Sequence, residues 1–266
     1  MDIFAAEWVL VTGASSGIGA AFARRLAGRG ARLVLAARSV DRLSALAAEL
    51  EAAHGTETRV VLADLAAPDG AAALCAAVDA LGVPVLHLMN NAGFGLAGPF
   101  AAADAGRLAA MVRVNCEALT VLSRHFLPAM LAAGAGGIVH VASVAGYLPM
   151  PYQAVYAASK AYVLSLSTAL AEEVRGSGVR VLALCPGPVP TGFQAAAGAE
   201  GHTNPLEAAV LTADEVTRRG LAAYEAGRAV CVPGAINRAV AAAAGLTPRG
   251  GLARLVARVS RRRARA

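Results

Sequence analysis

Lysine is almost absent from this chain. Of its 24 lysine and arginine residues only Lys160 is a lysine, so an arginine bias has displaced the ammonium group everywhere except in the stretch "AVYAASKAYVLS". Paired cysteines are missing as well. Cys75, Cys116, Cys185 and Cys231 are widely spaced, without a CxxC pair, and each sits in an apolar context. That pattern argues against a disulfide framework and for buried free thiols, and no metal site is expected. Residues 125–159 contain no Asp, Glu, Lys or Arg. Gly, Pro, Gln, Ser and two His interrupt that stretch, so no run of about 20 apolar residues survives and no membrane span is expected. The start, "MDIFAAEW", has an acid at position 2 and leads straight into a strand pattern, unlike a secretory signal. These absences together point to a soluble cytoplasmic protein.

Acids are missing from the end of the chain: none follows Glu225. The formal charge of +6 resembles a nucleic-acid signal, but seven cations belong to Arg249, Arg254, Arg258, Arg261, Arg262, Arg263 and Arg265. Residues 1–248 carry 17 positive and 18 negative groups, a net of −1. The body is nearly neutral, the basicity is a tail, and no nucleic-acid partner is expected.

What is present suffices for a sizeable core: 266 residues, 57% of them hydrophobic, which places the chain outside the disordered class. Short Val- and Leu-rich runs alternate with alanine-rich segments of helix length. The runs are "WVLVTG", "RLVLAAR", "TRVVLADL", "VPVLHLMNNAG", "GGIVHVASV", "VRVLALCPG" and "RAVCVPG". Near-continuous apolar strands separated by helices predict an α/β fold, a single doubly wound Rossmann domain of about seven parallel strands with helices on both faces. Ligands are expected at the carboxyl ends of the strands. The reading divides the chain into a catalytic domain over 1–235, with a substrate loop at 187–212, and a basic helical extension over 236–266.

"TGASSGIGAAFARRLAGRG" follows the first strand and opens the first helix. Gly13, Gly17 and Gly19 suit a tight turn, close approach to a pyrophosphate and helix-on-strand packing. The same residues, Gly13-Ala14-Ser15-Ser16-Gly17, also satisfy the G-x-S-x-G nucleophile elbow of hydrolases. That elbow needs a downstream acid and histidine, and His202, the one histidine outside strands and helices, has no paired acid. The second strand, "RLVLAAR", ends in Arg38, where NAD-binding folds place an acid for the ribose. Arg38 suits a 2′-phosphate, although arginine is common throughout and a solvated side chain is the plain alternative; the missing acid weighs more against NAD than Arg38 weighs for NADP.

Tyr156 and Lys160 are i and i+4 on one helix, so they share a face. A phenol titrates near ~10. A nearby ammonium favours phenolate, and reaching ~7 needs roughly 4 kcal/mol of differential stabilisation. Lysine is a compact point charge and arginine a wide planar fork, which explains why lysine survives here. Ser143 ends the strand "GIVHVASV", where its hydroxyl reaches a substrate carbonyl. Asn115, in the middle of a long helix predicted over 104–133, is a poor helix former whose amide suits holding a water or interrupting the ladder.

TGxxxGxG at 12–19, "NNAG" at 90–93, Asn115, Ser143, Tyr156-Ala-Ala-Ser-Lys160 and "PGPVPT" at 186–191 resemble the short-chain dehydrogenase/reductase family, over residues 9 to about 235. The resemblance implies an NADP(H)-dependent enzyme that interconverts a carbonyl and an alcohol. Tyr156 would be the general acid/base, Lys160 would lower its pKa and hold the nicotinamide ribose, Ser143 would orient the carbonyl and Asn115 would keep a relay water. Gly13, Ser15, Ser16, Gly17, Ile18, Gly19 and Arg38 would bind the phosphates. Asp64 and Leu65 would contact adenine, Asn91, Ala92 and Gly93 would line the cleft, and Pro186, Gly187, Val189 and Thr191 would hold the carboxamide. The closest branch resembles 3-oxoacyl and general carbonyl reductases, and a homodimer or homotetramer is implied. A non-catalytic dinucleotide-binding regulator and an NAD-dependent alcohol or hydroxysteroid-type dehydrogenase are the competing readings.

Phe94, Tyr147, Leu148, Met150 and Phe193 flank the expected pocket, and the surrounding loops hold no Arg or Lys to pair a substrate carboxylate. An uncharged or apolar ketone, aldehyde, alcohol or 3-oxoacyl thioester is therefore expected. In the tail, Leu252, Leu255, Val256 and Val259 fall at i, i+3, i+4 and i+7 among arginines, a short basic amphipathic helix. It could dock on the body, meet an anionic membrane or attract an acidic acyl carrier.

Overall fold

A computed structural model describes residues 2–190 and 210–263. Thr191, Phe193, His202 and most of the 187–212 loop lie outside the described residues. The strands are β1 (Trp8–Thr12), β2 (Arg32–Ala37), β3 (Thr58–Leu62), β4 (Val85–Asn90), β5 (Gly137–Val141), β6 (Arg180–Leu184) and β7 (Val230–Cys231). The helices are α1 (Gly17–Ala27), α2 (Val40–His54), α3 (Gly70–Asp79), α4 (Ala105–Val112), α5 (Leu119–Ala133), α6 (Ala154–Glu173), α7 (Ala213–Glu225), α8 (Ala235–Leu246) and α9 (Arg249–Arg263). Every strand pairs in parallel, in the order β3-β2-β1-β4-β5-β6-β7. This is the doubly wound sheet that the apolar runs predict. The strand order turns back between β1 and β4, which opens a crevice at their carboxyl ends.

Alternation along each strand feeds two cores. Val9 and Val11 of β1 face Phe22 and Leu26 of α1 and Tyr224 of α7. Trp8 and Leu10 face the other side, with Leu74 of α3 and Leu122 and Phe126 of α5. All five residues of β1 and of β5 are buried, which is why these strands read as unbroken apolar runs. Burial of this kind is worth about 25 cal/mol per Å² of apolar surface.

One departure from the predicted helices matters for the site. The single helix predicted over 104–133 is divided: α4 ends at Val112, a π-helical turn covers Arg113–Ala118, and α5 begins at Leu119. A π turn inserts an extra residue into the ladder and is favoured where a side chain must be re-aimed. Asn115 lies in that turn.

Two buried histidines tie distant segments together. His87 of β4 meets the Tyr224 hydroxyl at 2.7 Å through Nδ1 and the Ile3 carbonyl at 3.1 Å through Nε2, anchoring the N-terminal segment. Burial pushes its pKa down to about 4, and that of His140 in β5 to about 3. The unfolded chain protonates these rings near ~6.5. Between that value and the folded values the unfolded state holds more protons, so stability rises with pH through this window and falls on acidification. Lowering the pH from 7 to 4 is expected to cost about 3 kcal/mol through His87 alone. Urea midpoints across that range check this, and a flat profile contradicts it.

Candidate active site

The floor of the crevice is zipped by one threonine. The buried Thr12 hydroxyl accepts the N–H groups of Asn91 and Ala92, each at 3.0 Å. The Asn91 amide returns to the Thr12 carbonyl at 2.9 Å and to that of Gly13 at 3.3 Å. This joins the ends of β1 and β4 and leaves no room for side chains. Gly13 has φ +65°, and a Cβ there would lie 2.9 Å from the Asn91 amide nitrogen. A Cβ on Gly19 would lie 2.2 Å from the Gly13 carbonyl oxygen, inside contact distance. Ser16 precedes α1 in extended conformation without spending its hydroxyl on a cap. The helix start therefore keeps unpaired N–H groups and a positive dipole end. Arg38 stands exposed beyond β2. Asp64 is exposed and accepts the Ala66 N–H at 3.0 Å, while the Leu65 side chain is buried in the core.

Deeper in the crevice, α6 presents Tyr156 and Lys160 one turn apart. Lys160 is buried, and its ammonium donates to the Val141 carbonyl at 2.8 Å, tying α6 to the end of β5. It lies 5.9 Å from the centroid of the Tyr156 ring. Burial lowers its pKa to about 8. Ser143, just past β5, caps a short 3₁₀ turn by accepting the Ala145 N–H at 3.1 Å. Burial pushes the Tyr156 phenol upward, and a hydrogen bond from the Ser143 side chain works against it.

Asn115 closes the arrangement from the π turn. Buried, it donates to the Phe94 carbonyl and to the Ser159 hydroxyl, both at 3.0 Å, and accepts the Phe94 N–H at 3.1 Å. A Cβ on Gly93 would lie 3.0 Å from the Asn115 Oδ1 and 3.4 Å from the Lys160 Nζ. Gly93, Asn115 and Lys160 thus converge. On the β6 side, the Pro186 carbonyl accepts from the Val144 N–H at 3.0 Å and the Ser143 hydroxyl at 3.4 Å, and Val189 is buried. Phe94, Tyr147 and Met150 are half-buried around this point, with Tyr147 hydrogen-bonded to the Cys185 sulfur. A backbone-lined cradle lies at one end of the crevice and a hydroxyl–phenol–ammonium set at the other.

The sequence profile for short chain dehydrogenases matches residues 7–201. The chain belongs to that family. Among its relatives, very-long-chain 3-oxoacyl-CoA reductase of Anas platyrhynchos is 34% identical over 184 residues, 67% of this chain and 58% of that protein. Ketoacyl reductase HetN of Nostoc sp. is 34% identical over 187 residues, 70% of this chain and 65% of that protein. The chain therefore spans about three-fifths of the length of these curated relatives. Among solved structures, a short-chain dehydrogenase from Sphingobium yanoikuyae in complex with NADPH superposes with a TM-score of 0.79 at 36% identity, covering 85% of this chain and 87% of that one.

Three supporting features escaped the sequence reading. His140 contacts the Ser123 and Ser167 hydroxyls, each at 2.8 Å, and Asn90 donates to Ser123 at 3.3 Å. A neutral ring has one N–H to donate, and the Ser123 and Ser167 hydroxyls themselves donate to the Leu119 and Val163 carbonyls. The chain runs from β4 through α5 and β5 to α6. A histidine inside an apolar strand, "GIVHV", was its signal. Tyr152 adopts φ +69°, with its carbonyl accepting the Gly98 N–H at 2.9 Å. Such a conformation costs of order 1 kcal/mol or more and clusters at functional sites. Asn237 of α8 is buried against the turn after β6, where a Cβ on Gly187 would lie 2.4 Å from its Oδ1.

Proposed function

We propose that this protein is an NADPH-dependent reductase that converts an apolar ketone or aldehyde, with 3-oxoacyl thioesters as one substrate class, to the alcohol. The observation that carries this reading is the convergence of Ser143, Tyr156 and Lys160 beside Gly93 and Asn115. The glycine cradle fits a dinucleotide: Gly13 and Gly19 tolerate no Cβ, and the start of α1 offers free donors. Ser15, Ser16, Gly17 and Ile18 would take the pyrophosphate, and Arg38 the 2′-phosphate. Asp64 and Leu65 would meet the adenine, Asn91 to Gly93 the cleft side, and Pro186 to Thr191 the carboxamide. When bound, a nicotinamide supplies the hydride. Ser143 would orient the carbonyl oxygen by a hydrogen bond, and Tyr156 would deliver the proton to that oxygen. Lys160 would supply a fixed positive charge behind Tyr156 and hold a ribose hydroxyl. Asn115, pinned between Phe94 and Ser159, would keep the π turn open for a relay water.

Apolar surroundings support the substrate class. Beside the site, Leu96, Phe100, Leu108, Met111, Tyr152 and Val155 line a small recess of about 40 Å³. Exposed Val112, Val121 and Tyr162 on α4, α5 and α6 support a homo-oligomer, and a cytoplasmic setting belongs to the same proposal. A panel of carbonyls assayed with NADPH and NADH separately tests the reading. Reduction of apolar ketones or 3-oxoacyl thioesters with NADPH supports it, and inactivity across the panel contradicts it.

Arg38 gives a sharper cofactor test. Arg38→Leu is expected to raise the KM for NADPH about 10- to 100-fold, because it removes a charge-assisted contact worth about 1.5–3 kcal/mol. The KM for NADH should stay nearly constant. Unchanged preference in the variant contradicts the assignment.

A further inference from the structure

The last two helices carry cations and no acids. Nine arginines follow Glu225, and no Asp or Glu does. The apolar stripe predicted in the tail does not lie on one docked face. Leu252 is buried and Ala253, Val256 and Ala257 are half-buried, so these four form the inner side of α9. Leu255 turns outward and is 59% exposed, between the exposed Arg254 and Arg258. Leu246, which ends α8, is 88% exposed and is followed by the exposed Arg249. The side chain of Val259 lies outside the described residues.

One face of α9 is thus covered, while the other sets Leu255 between arginines. A second copy of the chain on this face would bring arginine against arginine with no acid in either segment. A nucleic acid would use the cations and leave the leucines in water. An anionic bilayer uses both, since phosphate headgroups pair with guanidinium forks and the interface just beneath accepts leucine.

We propose that the outer face of α9, formed by Arg254, Leu255 and Arg258, together with the exposed Leu246 that ends α8, seats this protein on an anionic phospholipid surface. The contact is peripheral, because among the described residues no helix is long and apolar enough to cross a membrane.

Sedimentation of the full chain with vesicles tests this. It should pellet with phosphatidylcholine vesicles containing about one-third phosphatidylserine and remain in the supernatant with phosphatidylcholine alone. About 0.5 M salt should release it. Leu246→Ser with Leu255→Ser should weaken partitioning about tenfold, and Arg254→Gln with Arg258→Gln by a similar factor. Both double variants should keep the wild-type rate on a short soluble ketone and the wild-type thermal midpoint, which separates this proposal from the reductase assignment. Failure to pellet with anionic vesicles overturns it, as does equal pelleting with neutral ones. Pelleting that ignores the leucine substitutions also overturns it. So does capture by an acidic acyl carrier protein in place of vesicles.

Discussion

Replacing Tyr156 by Phe is expected to reduce kcat at least about 1,000-fold while changing the Kd for NADPH by less than about threefold. The size follows from what is removed. General acid catalysis contributes about 10²- to 10⁴-fold, and a 1,000-fold loss is about 4 kcal/mol of transition-state stabilisation. The ring, its packing and its place on α6 are kept, so the cofactor cradle around Gly13 and Gly19 should be undisturbed. The variant lacks the hydroxyl proton that this role requires, while burial pushes the wild-type phenol upward. Steady-state kinetics with fluorescence titration of NADPH checks both halves. A variant that retains substantial turnover removes Tyr156 from the chemistry.

Lys160→Arg should be nearly as damaging, with turnover down about 100-fold or more. Lys160 is buried, its ammonium bonds the Val141 carbonyl at 2.8 Å, and even a Cβ on Gly93 would lie only 3.4 Å from it. A planar fork of five donors cannot occupy that point without displacing Gly93 or Val141. A pH profile separates charge from shape. With a pKa lowered to about 8, Lys160 is cationic below that value and neutral above it, so wild-type kcat/KM should fall above about pH 8. Arginine stays charged throughout, and the residual activity of the variant should lack this alkaline limb. A near-normal rate in Lys160→Arg contradicts the point-charge role.

The seven strands were legible because burial on both faces makes each a continuous apolar run, β1 and β5 most plainly. The Tyr156–Lys160 pair was legible because helical spacing alone places i and i+4 on one face. What stayed hidden depends on contacts between distant segments. Nothing local marks Arg113–Ala118 as a π turn. The turn is stabilised by Asn115 bonding Phe94, 21 residues away, and Ser159, 44 residues away. The serines around His140 lie 17 and 27 residues from it, so the strand shows a polar residue without its partners. In α9 the period revealed the apolar positions but not which of them are covered, and Leu255 proved to face outward.

Transfer of deuterium tests the central claim most directly. The wild-type protein would be given NADPH labelled at the transferable nicotinamide position together with an apolar ketone or 3-oxoacyl thioester. Mass spectrometry of the product should show one deuterium on the new carbinol carbon, formed at a rate that Tyr156→Phe abolishes. NADPH that binds but yields no deuterated alcohol, or a product formed equally well by the variant, would contradict the account.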